Sequence, residues 1–275
     1  MPDSDFSDPR LIDELTAIVS KAAAEVVRVR AATPVTRTKA DSTPATNADD
    51  ASEALILESL RRLLPGLAIV SEEVVSHAPP ARCGENFVIV DPLDGTREFI
   101  GGRDEFTINI AIIHVRRPIV GLIAAPALHR VWRTGPGQTA ELLELAPGAT
   151  PDQAKARKLI RTRKSADGIT AVVSRSHLDA DTSAFLTRIR PAEQLAFGSA
   201  LKFCRIAEGA ADVYPRFAPT CEWDVAAGEA ILRRAGGTVL TPDGENLVYG
   251  RAEDGFRIPA FIAQGDPAWA GSKGH

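Results

Sequence analysis

The chain has 275 residues, 44% of them hydrophobic, with a formal net charge of -4 and a pI near 5.8. That length and apolar fraction exclude a disordered chain and allow one large domain or two closely packed lobes. The acidic balance excludes a surface for nucleic-acid polymers, while a local basic pocket for a small anion stays open.

Cys83, Cys204 and Cys221 are odd in number and lack Cys-x-x-Cys spacing, so neither a disulfide framework nor a zinc site is expected, and a reducing cytoplasm fits. The start, Met1 to Asp5, is acidic where a secretory leader would be basic and then apolar. No run approaches the length of an integral membrane segment. Peripheral contact with a membrane surface is left open.

In chain order, Leu11, Leu15, Ile18, Ala22 and Val26 recur at helical spacing and predict a long amphipathic first helix. Residues Thr33 to Asp50 are rich in Thr, Asp, Ala and Pro and read as a loop or loose hairpin. A helix carrying Leu55, Ile56, Leu60 and Leu63 follows and is stopped by Pro65-Gly66. A short strand, Leu67 to Ser71, ends in Glu72-Glu73, and a second, Phe87 to Val90, ends in Asp91. Phe106 to Val115 and Ile119 to Ala124 predict neighbouring antiparallel strands joined at Arg116-Arg117-Pro118.

Ala146 to Asp167 has no apolar periodicity and reads as a surface loop and lobe boundary. From Thr170, short strands alternate with helices: Ala171 to Ser174, a helix near Ala180 to Ile189, Gln194 to Phe197, and a helix over Ser199 to Gly209. A last helix, Asp224 to Ala235, is stopped by Gly236-Gly237, with strands at Thr238 to Leu240 and Ala260 to Ala263 beyond it.

The most informative string is Asp91-Pro92-Leu93-Asp94-Gly95-Thr96. Two carboxylates three residues apart, with Pro92 fixing φ between them, aim both side chains and the Leu93 carbonyl at one point. Oxygen-only ligands suit Mg²⁺. Gly95 and Thr96 then offer backbone N–H groups at a helix start, where a phosphate oxygen is favoured. The same string is also an ordinary turn sequence. What weighs against that reading is the supply of other acids at element ends: Asp49, Glu72 and Asp224, the last beside Trp223. For Asp224 the competing role is capping its helix, and for Glu72-Glu73 a solvated strand end. Grouped together, such like charges require a cation.

Ser71-Glu72-Glu73, Asp91-Pro92-Leu93-Asp94-Gly95-Thr96 and Trp223-Asp224-Val225-Ala226-Ala227-Gly228 resemble, in order and separation, the signature set of the inositol monophosphatase superfamily of Mg²⁺-dependent, lithium-sensitive phosphatases. The loop Lys39 to Asp49 resembles that family's upstream loop, with Pro-Ala-Thr where Pro-Val-Thr is usual. The resemblance covers roughly residues 10 to 265. Val173-Ser174-Arg175-Ser176-His177, Gly198-Ser199-Ala200-Leu201-Lys202-Phe203-Cys204 and Ala207 to Arg216 are similar to the 3′(2′),5′-bisphosphate nucleotidases of the CysQ type, with Ala200 where a second Ser is common.

The resemblance implies an α/β (α+β) fold, a layered α-β-α-β-α sandwich of the sugar phosphatase type. Residues 1–147 would form an N-terminal lobe with most metal ligands, and residues 148–275 a C-terminal lobe with Asp224 and the substrate contacts. It implies one Mg²⁺ on Glu72, Asp91 and the Leu93 carbonyl, and a second on Asp91, Asp94 and Asp224. A weaker third would lie near Glu72 and Asp49. Asp49, Glu72 and Thr96 are its catalytic set, Asp49 and Thr96 orienting or deprotonating the attacking water. Gly95, Thr96, Ser174, His177, Ser199, Lys202, Arg216 and Asp224 would contact substrate, with Lys202 and Arg216 on the second phosphate. Competing structural roles are a snorkelling helix lysine for Lys202, a surface ion pair for Arg216, a loop histidine for His177 and helix capping for Thr96.

The implied reaction is hydrolysis of the 3′-phosphate of adenosine 3′,5′-bisphosphate to AMP and phosphate, clearing a by-product of sulfate assimilation. Alternatives with the same chemistry are an inositol monophosphatase or sugar bisphosphatase, and one of another class is a non-catalytic regulator that binds Mg²⁺ and nucleotide. The expected partner is a small nucleotide bisphosphate, the expected place the cytoplasm with peripheral attachment at the inner membrane left open, and a homodimer is allowed.

Overall fold

The computed structural model describes residues 6, 8–39, 43–77, 82–165, 168–175 and 178–272. Strand Phe87–Asp94 shows how the layers arise. Its residues alternate between two cores, Val88 and Val90 facing one and Phe87 and Ile89 the other. Strand Thr107–His114 does the same, with Ile108, Ile110 and Ile112 on the first side and Ala111 and Ile113 on the second. A strand apolar on both faces must be covered on both, and the chain supplies a helical layer to each.

The first core is closed by helices Pro9–Ala31 and Asn47–Leu63, which bury Ile12, Leu15, Val19, Val26, Ile56 and Leu60 against the large sheet. The second holds helices Leu201–Ala207 and Glu222–Ala235, sandwiched between the large sheet and a smaller one. Helix Ala180–Ile189 covers the outer face of the small sheet through Phe185 and Leu186. The order is helix, sheet, helix, sheet, helix, the layering expected from the resemblance.

The large sheet has seven strands, in the order Ala68–Ser71, Phe87–Asp94, Thr107–His114, Arg117–Ala125, Arg130–Gly135, Thr139–Glu144 and Ala156–Ile160. The small sheet has five, in the order Glu193–Phe197, Thr170–Ser174, Val213–Arg216, Phe261–Gln264 and Thr238–Leu240. In the large sheet only the first two strands run parallel, with Ser71 opposite Val90. Glu72 and Asp91 therefore leave the sheet side by side at the same end.

Two sequence readings need correction, and two strands went unread. Ala146 to Asp167, read as loop, contains the edge strand Ala156–Ile160, so the large sheet continues past residue 147. Its Arg157, Lys158 and Leu159 are exposed, which erased the apolar signal. Strands Arg130–Gly135 and Thr139–Glu144 had no sequence reading, because Arg133 and Glu141 sit at buried positions directly opposite each other. Finally, of the loop or loose hairpin read over Thr33 to Asp50, the hairpin is the form present, and it ends sooner. A hairpin pairs Thr36–Thr38 with Pro44–Thr46, and helix begins at Asn47 because Thr46 and Asp49 form a capping box.

Candidate metal and phosphate site

At the end of strand Phe87–Asp94 the pairing with its neighbour slips between Asp91 and Asp94. Pro92 brings no N–H to the ladder, and the bulge it sits in turns both carboxylates to one side. The Leu93 N–H donates back to Asp91 Oδ1 at 3.0 Å, and the Pro92 carbonyl accepts from Ser52 Oγ at 2.8 Å. Gly95 follows with φ of 87°, and a Cβ there would stand 3.0 Å from the Glu105 carbonyl. Thr96 then opens the short helix Thr96–Ile100.

Asp224 arrives from the other side on helix Glu222–Ala235, and its carboxylate joins those of Asp91 and Asp94. The three offer oxygen atoms all within 4.8 Å of one another. Asp91 is buried, and its Oδ2 has no hydrogen-bond partner among the described residues. Burial, then Glu72, Asp94 and Asp224, push the Asp91 carboxyl well above its usual range. Asp94 is pushed up to about 7 by burial and Asp224, and Glu72 to about 8 by burial, with Asp224 and Glu73 adding and Lys39 opposing. An orphaned buried oxygen in an oxygen-only set whose members repel each other fits a hard divalent cation.

Glu72 opens helix Glu72–His77 and accepts from Lys39 Nζ at 2.7 Å. Lys39 also pairs with the buried Glu73. Burial works against the Lys39 charge, yet the two glutamates hold its pKa above the usual range. Asp49 lies one layer back. Its Oδ2 accepts from the Thr46 N–H and hydroxyl at 2.8 and 2.7 Å, and its Oδ1 from Thr96 Oγ1 at 3.3 Å. Burial pushes Asp49 up to about 6, against the hydrogen bonds from Thr46. Thr96 Oγ1 also lies 3.2 Å from the Leu93 carbonyl.

Glu72, Asp91, Leu93, Asp94, Thr96 and Asp224 border a cavity of about 290 Å³ between the halves of the chain, while Asp49 lies behind its lining. The sequence profile of the inositol monophosphatase family matches residues 10–261. The chain belongs to that family. It is 38% identical over 231 residues to the 3′(2′),5′-bisphosphate nucleotidase CysQ of Salmonella typhimurium, covering 81% of this chain and 88% of that one. The CysQ protein of Escherichia coli K12 is 37% identical over 227 residues, with the same shares covered. Among solved structures, CysQ from Bacteroides thetaiotaomicron superposes with a TM-score of 0.78 at 30% identity, over 94% of this chain and 98% of that one.

In this family member basic side chains line the same cavity as the acids. Lys202 is buried on helix Leu201–Ala207, with its Nζ 2.5 Å from the Ser199 carbonyl and over the Tyr214 ring. Burial lowers it to about 8, and Asp94 acts in the opposite direction. Arg216 donates to the carbonyls of Ala218 and Pro219 at 3.1 and 3.0 Å. Ser174, Gly95, Thr96 and Ser199 also line the cavity, Ser199 in a left-handed conformation with φ of 49° and its Oγ without a partner among the described residues. His177 lies outside the described residues.

Several supporting residues escaped the sequence reading. Asn109 stands opposite Asp91 and donates to Asp94 Oδ2 at 3.4 Å. Thr220 Oγ1 donates to Asp224 Oδ2 at 2.5 Å. Glu105 binds the Gly198 N–H at 2.9 Å and pairs with Arg175, tying the turn before Lys202 to the other half of the chain. Thr220, four residues before Asp224, had a local signal. The other two depend on strand register and on contacts between distant segments. No described helix is long and apolar enough to cross a membrane.

Proposed function

We propose that the protein hydrolyses the 3′-phosphate of adenosine 3′,5′-bisphosphate to AMP and phosphate in a Mg²⁺-dependent reaction. The observation that carries the reading is the meeting of Asp91, Asp94 and Asp224 from two distant segments, with Asp91 Oδ2 left without a partner among the described residues. The CysQ relatives, at 37–38% identity, direct it toward a nucleotide bisphosphate.

Glu72, Asp91 and the Leu93 carbonyl would hold one Mg²⁺, and Asp91, Asp94 and Asp224 a second, with a weaker third near Glu72 and Asp49. Mg²⁺ held by these residues would supply Lewis acidity to the attacking water and offset charge on the phosphoryl and leaving oxygens. The protein's part is orientation and proton transfer. The single Thr96 hydroxyl proton is shared between Asp49 Oδ1 and the Leu93 carbonyl, which leaves oxygen lone pairs to position the attacking water. Asp49, raised to about 6, is matched to accepting a proton near neutrality. Gly95 and Thr96 present backbone N–H groups to the equatorial oxygens, and Lys202 sets positive charge opposite the acids. The three free cysteines support a reducing compartment.

The test is phosphate release from adenosine 3′,5′-bisphosphate and from inositol 1-phosphate at one Mg²⁺ concentration. Preference for the nucleotide, loss on chelation and inhibition by lithium are expected. Preference for the inositol ester overturns the substrate, and tight nucleotide binding without turnover overturns the activity.

A further inference from the structure

We propose that Arg257 is the contact for the substrate phosphate that is not hydrolysed, and so sets preference for a bisphosphate over a monophosphate. The inference rests on the nucleotidase reading and assigns this role differently within it.

Among the described residues, three cationic side chains of the C-terminal half line the cavity: Lys202, Arg216 and Arg257. Lys202 is buried, and its ammonium is already taken up by backbone carbonyls, those of Ser199 at 2.5 Å and Phe197 at 3.5 Å. Arg216 spends its Nε and one Nη on the carbonyls of Ala218 and Pro219, where it braces the turn leading to Asp224. Arg257 is exposed to the cavity and makes no hydrogen bond or ion pair with any described residue. Its five donors are all available to an anion.

The backbone that carries Arg257 is firmly mounted. Strand Arg257–Ile258 pairs with Thr220–Cys221, placing Arg257 opposite Cys221, three residues before Asp224. The preceding loop is fastened at both ends by Glu222, the first residue of the Asp224 helix. The Glu222 N–H donates to the Phe256 carbonyl at 2.8 Å, and its buried carboxylate accepts from the N–H groups of Gly250 and Arg251 at 2.7 and 2.8 Å. Phe256 is wholly buried against Trp223 and holds a left-handed φ of 58°. A buried glutamate thus fixes the backbone that carries Arg257 next to the start of the Asp224 helix, and leaves its guanidinium without a partner among the described residues. Such a fork suits a phosphate dianion held bidentately at a set separation from the reacting phosphate.

The test compares wild type, Arg257→Ala and Arg257→Lys on adenosine 3′,5′-bisphosphate and adenosine 3′-monophosphate, with thermal melts to check folding. For Arg257→Ala, KM for the bisphosphate should rise about tenfold, the loss of one charged hydrogen bond. Its kcat and the monophosphate kinetics should hardly move, and Lys should restore part of the loss. An unchanged ratio between the two substrates overturns the role of Arg257 and leaves the nucleotidase reading standing. Calorimetric binding of AMP against adenosine decides the matter independently of turnover. Weaker AMP binding by Arg257→Ala alone supports the subsite even if wild type fails to hydrolyse the bisphosphate, and equal binding overturns it.

Discussion

Asp49 and Asp224 hold the same place on two different helices. Each is the third helical residue, and each accepts through Oδ2 from the backbone N–H just before the helix, Thr46 at 2.8 Å and Cys221 at 2.9 Å. A hydroxyl adds to the same oxygen in both cases, from Thr46 and Thr220. The cap fixes one carboxylate oxygen and leaves the other for chemistry: Asp49 Oδ1 reaches Thr96, and Asp224 joins Asp91 and Asp94. Capping and function, alternatives for Asp224 from sequence alone, are compatible in one side chain.

It follows that Asp224→Asn and Asp224→Ala should differ in stability but not in activity. Both remove the charge from the acid cluster and should abolish nearly all turnover. Asn keeps an acceptor oxygen for Cys221 and Thr220, whereas Ala loses the cap and about 1 kcal/mol. Denaturant unfolding and phosphate release, run on both variants, check the two halves separately. Substantial turnover by Asp224→Asn would remove this residue from the proposed metal set.

The metal-free protein should lose stability as pH rises. Asp49, Asp94 and Glu72 are raised to about 6, 7 and 8, above the ordinary carboxylate range, so the folded chain binds more protons than the unfolded one between that range and those values. Their stabilising protons are held at low pH and lost as pH climbs through each value. Lys202, lowered to about 8, acts with the opposite sign only above that pH. In chelator, Tm should therefore fall from about pH 5 to pH 8, and Mg²⁺ should flatten the fall by binding the ionised cluster. Asp94→Asn should raise Tm at pH 8 in chelator and reduce the gain from Mg²⁺. A pH slope indifferent to Mg²⁺ would contradict the account.

What the sequence revealed followed the range of the interactions involved. Asp91 and Asp94 were legible because the bulge that aims them is contiguous, and the long helices because Leu15, Val19, Ile56 and Leu60 repeat on one face. Asp224 and Glu72 stood out by themselves only as acids at element ends, and their assignment to the Asp91 site came from resemblance, since parallel pairing and layer stacking bring them there. Strands Arg130–Gly135 and Thr139–Glu144 were hidden because Arg133, wholly buried, is paired by Glu141, Asp13 and Thr16. A charge satisfied by distant partners looks like solvent-facing sequence until those partners are in place.

Asn109 should tune metal affinity without touching the ion. It is buried opposite Asp91, and its Nδ2 is the side-chain donor on Asp94 Oδ2. Asn109→Ala removes the group that orients Asp94 and should weaken Mg²⁺ binding about tenfold, as loss of an outer partner of a metal ligand commonly does. Calorimetric Mg²⁺ titration reads this directly. With Mg²⁺ in excess, kcat should recover toward wild type, and unchanged affinity would show that Asp94 is oriented by its backbone alone.

Gly228, within the string Trp223 to Gly228, is set by packing rather than by chemistry. A Cβ there would lie 2.3 and 2.4 Å from ring carbons of Phe203, and that ring is boxed in by Tyr214 at 5.3 Å and Phe261 at 5.8 Å between centroids. Ala is the better helix former by about 1 kcal/mol, but overpacking a core contact that cannot yield typically costs 1–3 kcal/mol, so Gly228→Ala should be destabilising by about 1 kcal/mol overall. Phe203 also borders the cavity, so the variant should raise KM as well. Adding Phe203→Leu should recover part of the stability lost in Gly228→Ala, a coupling that a double-mutant cycle in urea measures. Additive effects would mean that Gly228 is required for some reason other than its contact with this ring.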